Sequence, residues 1–170
     1  MYIKYNLLLL FLTLSMNALS NISNNPSNWY VVTDQVMGGK SELQVSVDGG
    51  VFSLNGYVTT ENNGGFVRLA HSPENVDKEV QGIRFMAKGN NETYEVHVTM
   101  QGLRMPPWAY HSSTFDVNAE WKIFEINFSD FEKKSGVSAK LLPNNIRDIS
   151  FAGYGRDFDV DLQVKEISFY

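Results

Sequence analysis

The 170-residue chain contains no cysteine, so no disulfide can staple it and no thiolate can serve as nucleophile or metal ligand. Basic residues are scarce as well. Lys and Arg number 14 against 19 Asp and Glu, for a net charge of −5, and no basic stripe is visible. That balance argues against nucleic acid and anionic lipid as main partners. Proline is limited to five residues, two of them adjacent in Met105-Pro106-Pro107-Trp108, a segment that cannot be the interior of a strand or helix. Long hydrophobic runs are missing too. The run from Leu7 to Leu14, broken only by Thr13, is too short to span a bilayer comfortably, so no stable transmembrane span is expected.

That short run instead reads as the core of a secretory signal. Lys4 supplies a positive n-region, and Ala18-Leu19-Ser20 offers small residues for cleavage after Ser20. No Arg precedes the run, unlike a mitochondrial transit peptide, and no Cys follows it to carry a lipid. The expectation is an exported protein, periplasmic or extracellular: residues 1–20 as signal, 21–28 as a polar lead, and 29–170 as one domain. Removing the signal also removes Lys4, so the mature chain is one unit more acidic. A domain of that size buries roughly 68–70% of its unfolded surface, enough to be stable without disulfides.

What is present is strand-like almost throughout. Leu43, Val45 and Val47 alternate with polar residues, Asp48-Gly49-Gly50 turns the chain, and Phe52, Leu54 and Val58 follow, which predicts a hairpin. Phe66–Ala70 and Ile83–Ala87 read as further strands. The clearest alternation sets Tyr94, Val96, Val98 and Met100 on one face and Glu95, His97, Thr99 and Gln101 on the other. Strands follow at Tyr110–Val117, Trp121–Phe128, Ile146–Phe151, Phe158–Val164 and Ile167–Tyr170, with a short helical turn expected within Ser129–Gly136. Val164 and Ile167 break alternation by one residue, which predicts a bulge. Nine or ten strands without an amphipathic helix make the fold all-β, a sandwich or barrel.

Little here is arranged for catalysis. His97 beside Glu95, and His111 on the strand carrying Asp116, are the acid–base candidates, but no nucleophile with an orienting partner accompanies them. His71, near a Ser-Pro turn, reads as a surface residue. No His-x-His or calcium-loop spacing appears, so no metal is expected. Gly153-Tyr154-Gly155 lacks a following helix and is not a phosphate loop, and no cofactor is expected. Binding is better supplied. If the strands at 94–101 and 110–117 share a sheet, Glu95, His97, Thr99, Gln101, Arg104, Trp108 and Tyr110 form a candidate groove of rings and bidentate polar groups. The bland alternative is a solvated sheet face.

Two glycine-rich stretches stand out: Asp34-Gln35-Val36-Met37-Gly38-Gly39-Lys40-Ser41 and Glu61-Asn62-Asn63-Gly64-Gly65-Phe66. Paired glycines permit positive φ and close backbone approach. Asp34 can cap its turn, Asn62 and Asn63 tolerate the left-handed region, and Met37 and Phe66 read as apolar plugs. These loops either lock two sandwich corners or form a binding rim.

With Trp29 ahead of them, the two stretches resemble the complex I intermediate-associated protein 30 family, in which a tryptophan precedes a D-x-V-M-G-G-x-S motif and E-N-N-G-G-F follows a strand. Gly89 to Tyr94, Tyr110 to Phe115 and the W…F…DF segment from Trp121 to Phe131 are similar in order and spacing, so the resemblance runs from about Trp29 to the C-terminus. It implies a galactose-binding-like jelly-roll β-sandwich and a chaperone-like, non-catalytic character. The family is best known for assisting assembly of NADH:ubiquinone oxidoreductase, a task of the mitochondrial matrix, whereas a secretory signal sends this chain across a membrane. The expectation is therefore an exported binding domain holding a protein partner at the cell envelope. A carbohydrate-binding module is the alternative, and a hydrolase comes third.

Overall fold

The computed structural model describes residues 22–102 and 109–170. Alternating apolar side chains need a second apolar face to cover them, and two antiparallel sheets supply it to each other. The first holds β1 (Trp29–Thr33), β4 (Phe66–His71), β10 (Ile146–Tyr154), β6 (Thr93–Met100), β7 (Tyr110–Asp116) and β9 (Glu132–Lys134), in that order. The second holds β2 (Glu42–Asp48), β3 (Val51–Val58), β11 (Phe158–Phe169), β5 (Gly82–Gly89) and β8 (Lys122–Asn127). Val96, Val98, Leu69 and Phe151 from one sheet meet Phe52, Leu54, Phe85 and Leu162 from the other, all buried. Each such side chain contributes roughly 1.5–3 kcal/mol by leaving water. Phe85 meets Phe151 edge-on across the gap, with ring centroids 4.9 Å apart.

The expected β2–β3 hairpin is present with the registers Val45↔Leu54 and Val47↔Phe52. The predicted bulge lies in β11, where pairing with β5 shifts between Lys165 and Ser168 and Glu166 adopts φ 51°. The sequence reading split β11 into two strands at this point, but the bulge absorbs one residue without ending the strand. Two strands went unforeseen. β1 has no alternation to announce it, and β9 is a charged triplet following a 3-10 turn at Phe128–Asp130. His71 was expected at the surface and is buried, stacked on Trp29 at 5.0 Å with Nδ1 2.9 Å from the Asn28 carbonyl. No helix among the described residues is long and apolar enough to cross a membrane.

Candidate functional site

The two double-glycine loops converge on one carboxylate. Asp34 opens a 3-10 turn (Asp34–Met37) directly after β1, and its side chain is fully buried. It accepts hydrogen bonds from Ser41 N (2.9 Å), Ser41 Oγ (2.5 Å), Gly65 N (2.6 Å) and Phe66 N (3.2 Å). Burial pushes the Asp34 pKa up, but these four donors outweigh it and hold the carboxyl below its ordinary value. The glycines divide the work. Gly38 (φ 89°) and Gly65 (φ 128°) take backbone conformations that favour glycine. Gly39 and Gly64 are small for a different reason: a Cβ on either would overlap the Asp34 carboxylate. Asn62, in the left-handed region, donates to the Gly38 carbonyl and ties the loops again, while Lys40 and Glu61 pair across them at the surface.

Beside this knot, on the outer face of the first sheet, lies a cleft of about 510 Å3. Its floor follows from strand register. Phe66 pairs with Tyr154, and Arg68 with Ala152 and then Glu95, while His97 lies between Ser150 and Ser112. All of these alternate away from the core-facing Val67, Val96 and Phe151. Mid-strand, β10 contributes only the small Ser150 and Ala152 here, so the larger side chains of β4, β6 and β7, and Tyr154 at the end of β10, stand up as walls. Arg68, His97, Tyr110 and Tyr154 line the cleft, and Met37, Thr60, Asn63, Gly64 and Gly65 form its rim.

Aromatic packing sets the cleft's shape. The His97 ring stacks on Tyr110 at 4.2 Å, and Tyr154 stands edge-on to both at 5.4 and 6.0 Å. Tyr110 is buried, whereas Tyr154 is 40% exposed and offers a free face. His97 Nε2 lies 2.6 Å from Glu95 Oε2. Burial depresses the His97 pKa despite that contact. Burial raises the Glu95 pKa, but its interactions with His97, Lys134 and Ser112 together outweigh this, so the net shift is downward. A neutral imidazole therefore donates from Nε2 to an ionised carboxylate.

The sequence-derived groove is partly assembled. Glu95, His97, Thr99 and Tyr110 share the outer face, and β6 does pair β7. Of these, His97 and Tyr110 line the cleft. Thr99 is buried and donates to Asp148 Oδ2 at 2.8 Å, and Gln101 falls in the turn after β6. Arg104 and Trp108 lie outside the described residues. His111 is not beside an acid: it is buried, with Nε2 3.1 Å from the Ala139 carbonyl, because its position on β7 alternates inward. Met37 does not plug its loop; it is 51% exposed, as is its neighbour Val36 at 75%. Sequence reasoning missed Arg68 and Tyr154, which reach the cleft because β10 inserts between β4 and β6. Their alternation with Val67, Leu69 and Gly153 was the available signal. Among the described residues, no group of three or more His, Asp or Glu is placed to hold a metal ion.

Two antiparallel sheets around one aromatic core, with an open cleft on one outer face, define a jelly-roll β-sandwich of the galactose-binding-like type. The model of the complex I intermediate-associated protein 30 family matches residues 19–164, and the chain belongs to that family. No curated protein matches it in sequence. Among solved structures, it is similar to the family 11 carbohydrate-binding module of a cellulosomal cellulase of Clostridium thermocellum. That likeness has a TM-score of 0.71 at 18% identity, covering 89% of this chain and 92% of that one. A structure of the Clostridium thermocellum family 11 module in complex with a β-1,3-1,4-mixed-linked tetrasaccharide gives 0.67 at 18% identity, with coverages of 84% and 88%. A family 29 carbohydrate-binding module gives 0.54 at 13% identity, with coverages of 89% and 84%. These likenesses define the fold.

Proposed function

We propose that this chain is a non-catalytic binding domain that takes a glycan in the cleft on its six-stranded sheet. The observation that carries the reading is Tyr154, whose exposed ring stands over a 510 Å3 cleft beside His97, Arg68 and Asn63. Sugars are held by such a combination, an apolar ring face against a planar side chain with hydrogen-bonding groups at its edge. The cleft lies within the roughly 300–1,000 Å3 of ligand sites. The tetrasaccharide complex of the family 11 module is consistent with a glycan on this fold, by analogy. Residues 1–20, read as a secretory signal, would place the cleft where extracellular or envelope glycans occur.

Glycan-array screening followed by titration tests this. Tyr154→Ala is expected to weaken binding at least about tenfold, the loss of one stacked ring, while Tyr154→Phe retains it. A chain that binds no saccharide under any condition sinks the reading.

The second reading is a protein partner at the cell envelope, favoured by one feature. Val36 and Met37 stand exposed together at the mouth of the cleft, an arrangement that a protein surface would cover. A stoichiometric partner recovered from an envelope fraction, and lost in Met37→Asp, would favour it.

A further inference from the structure

One wall of the cleft is a cation that forms no ion pair among the described residues. Arg68 lines the cleft, and its Nε is buried with no hydrogen-bond partner among the described residues. The guanidinium rests against the ring of Phe66, 5.1 Å from the centroid. Asp148 is within electrostatic reach of Arg68, but its oxygens already accept from Tyr30, Ser72, Thr99 and Arg147. Glu95 is engaged by His97 and does not line the cleft. Burial accordingly lowers the Arg68 pKa, although an arginine this far above neutrality stays charged. A half-withdrawn, unpaired guanidinium is costly to keep, and its donor fork is shaped for a planar oxyanion.

We propose that Arg68 is the anion-recognition residue of the cleft and that the glycan bound there is acidic, presenting a carboxylate or sulfate to the guanidinium. This rests on the glycan reading above. Arg68 pairs with Ala152, two residues before Tyr154 on β10, so Arg68 and Tyr154 are diagonal neighbours, roughly 7–8 Å apart at the backbone. One sugar ring stacked on Tyr154 thus directs a ring substituent toward Arg68. The chain's net charge of −5 offers no long-range attraction for anions, so any preference for an acidic sugar originates locally.

Calorimetric titration of the full chain with neutral β-glucan, uronate-bearing and sulfated oligosaccharides decides the matter. An acidic set is expected to bind at least about tenfold tighter than the neutral one, as one charge-assisted pair implies. The preference should weaken as salt rises, be lost in Arg68→Gln and persist in part in Arg68→Lys. Whether uronate or sulfate benefits identifies the oxyanion. The salt series is read on the unaltered chain, so it stands even if Arg68→Gln fails to fold. Neutral sugars binding as tightly as acidic ones, or folded Arg68→Gln keeping the preference, overturns the proposal and leaves the glycan reading intact. Failure of every saccharide overturns both, and so does Arg68-dependent capture of polyglutamate with no saccharide bound.

Discussion

A single carboxylate connects segments of the chain that sequence alone presents as two separate loops. Asp34 is fully buried and spends its oxygens on Ser41, Gly65 and Phe66. Replacing it with Asn keeps the shape but turns an NH2 group toward at least one N–H or O–H donor. Asp34→Asn is therefore expected to cost about 2–4 kcal/mol, lowering Tm by roughly 5–15 °C in thermal unfolding. Gly64→Ala should be at least as harmful because its Cβ enters the carboxylate's space. Gly38→Ala should cost only about 1–2 kcal/mol, since nothing lies near its Cβ and the penalty is conformational. Equal losses in the two glycine variants would contradict this division of labour. The glycine pairs and Asp34 were legible as a motif. Which glycine serves φ and which serves space was not, because both read as the same letter. Nor was the reach of Asp34 to Gly65, which depends on how β1 and β4 pair.

Strand alternation was the most legible signal at the scale of elements, and it carried its own exceptions. The break between Val164 and Ile167 marked the β11 bulge, where Glu166 sits at φ 51°. Glu166→Gly is expected to be neutral or to stabilise slightly, whereas Glu166→Val should cost about 1–2 kcal/mol, read as a change in the midpoint of urea unfolding. A neutral valine variant would mean that the strand shifts register there at no cost. Alternation also placed His97 and Glu95 on one face of β6. It could not say which strand lies on the other side of β6, because β10 is remote in sequence. The cleft was thus half legible: its β6 and β7 side was foreseen, while Arg68 and Tyr154 awaited the sheet order. Thr99 shows the opposite error, a polar residue on the right face but committed to Asp148.

Without disulfides, the whole molecule depends on one hydrophobic core and a few buried polar knots, and the knots make its stability depend on pH. Burial depresses the pKa of His97, against the opposing pull of Glu95, and of His111, against its bond to the Ala139 carbonyl. Unfolding restores both to their ordinary value of 6.5, so the unfolded chain takes up protons first. Their contribution is complete above that pH and is lost as pH falls from there toward their folded values. A second loss follows below 3.8, the ordinary value of Asp34 and Asp148. Burial raises both, but their donors outweigh it and bring them lower in the folded chain, so this contribution disappears as pH falls through their folded values. Melting temperature is therefore expected to be level above about pH 7, to decline gently below 6.5 and to drop more steeply below about 4. Asp34→Asn should start from a lower plateau and show a shallower final drop, because one of the carboxylates whose pKa folding depresses no longer titrates. A melting temperature unchanged from pH 6.5 down to 4.5 would mean that both histidines are protonated in the folded chain as readily as in the unfolded one. That outcome is incompatible with a neutral His97 donating to Glu95 beneath Tyr110.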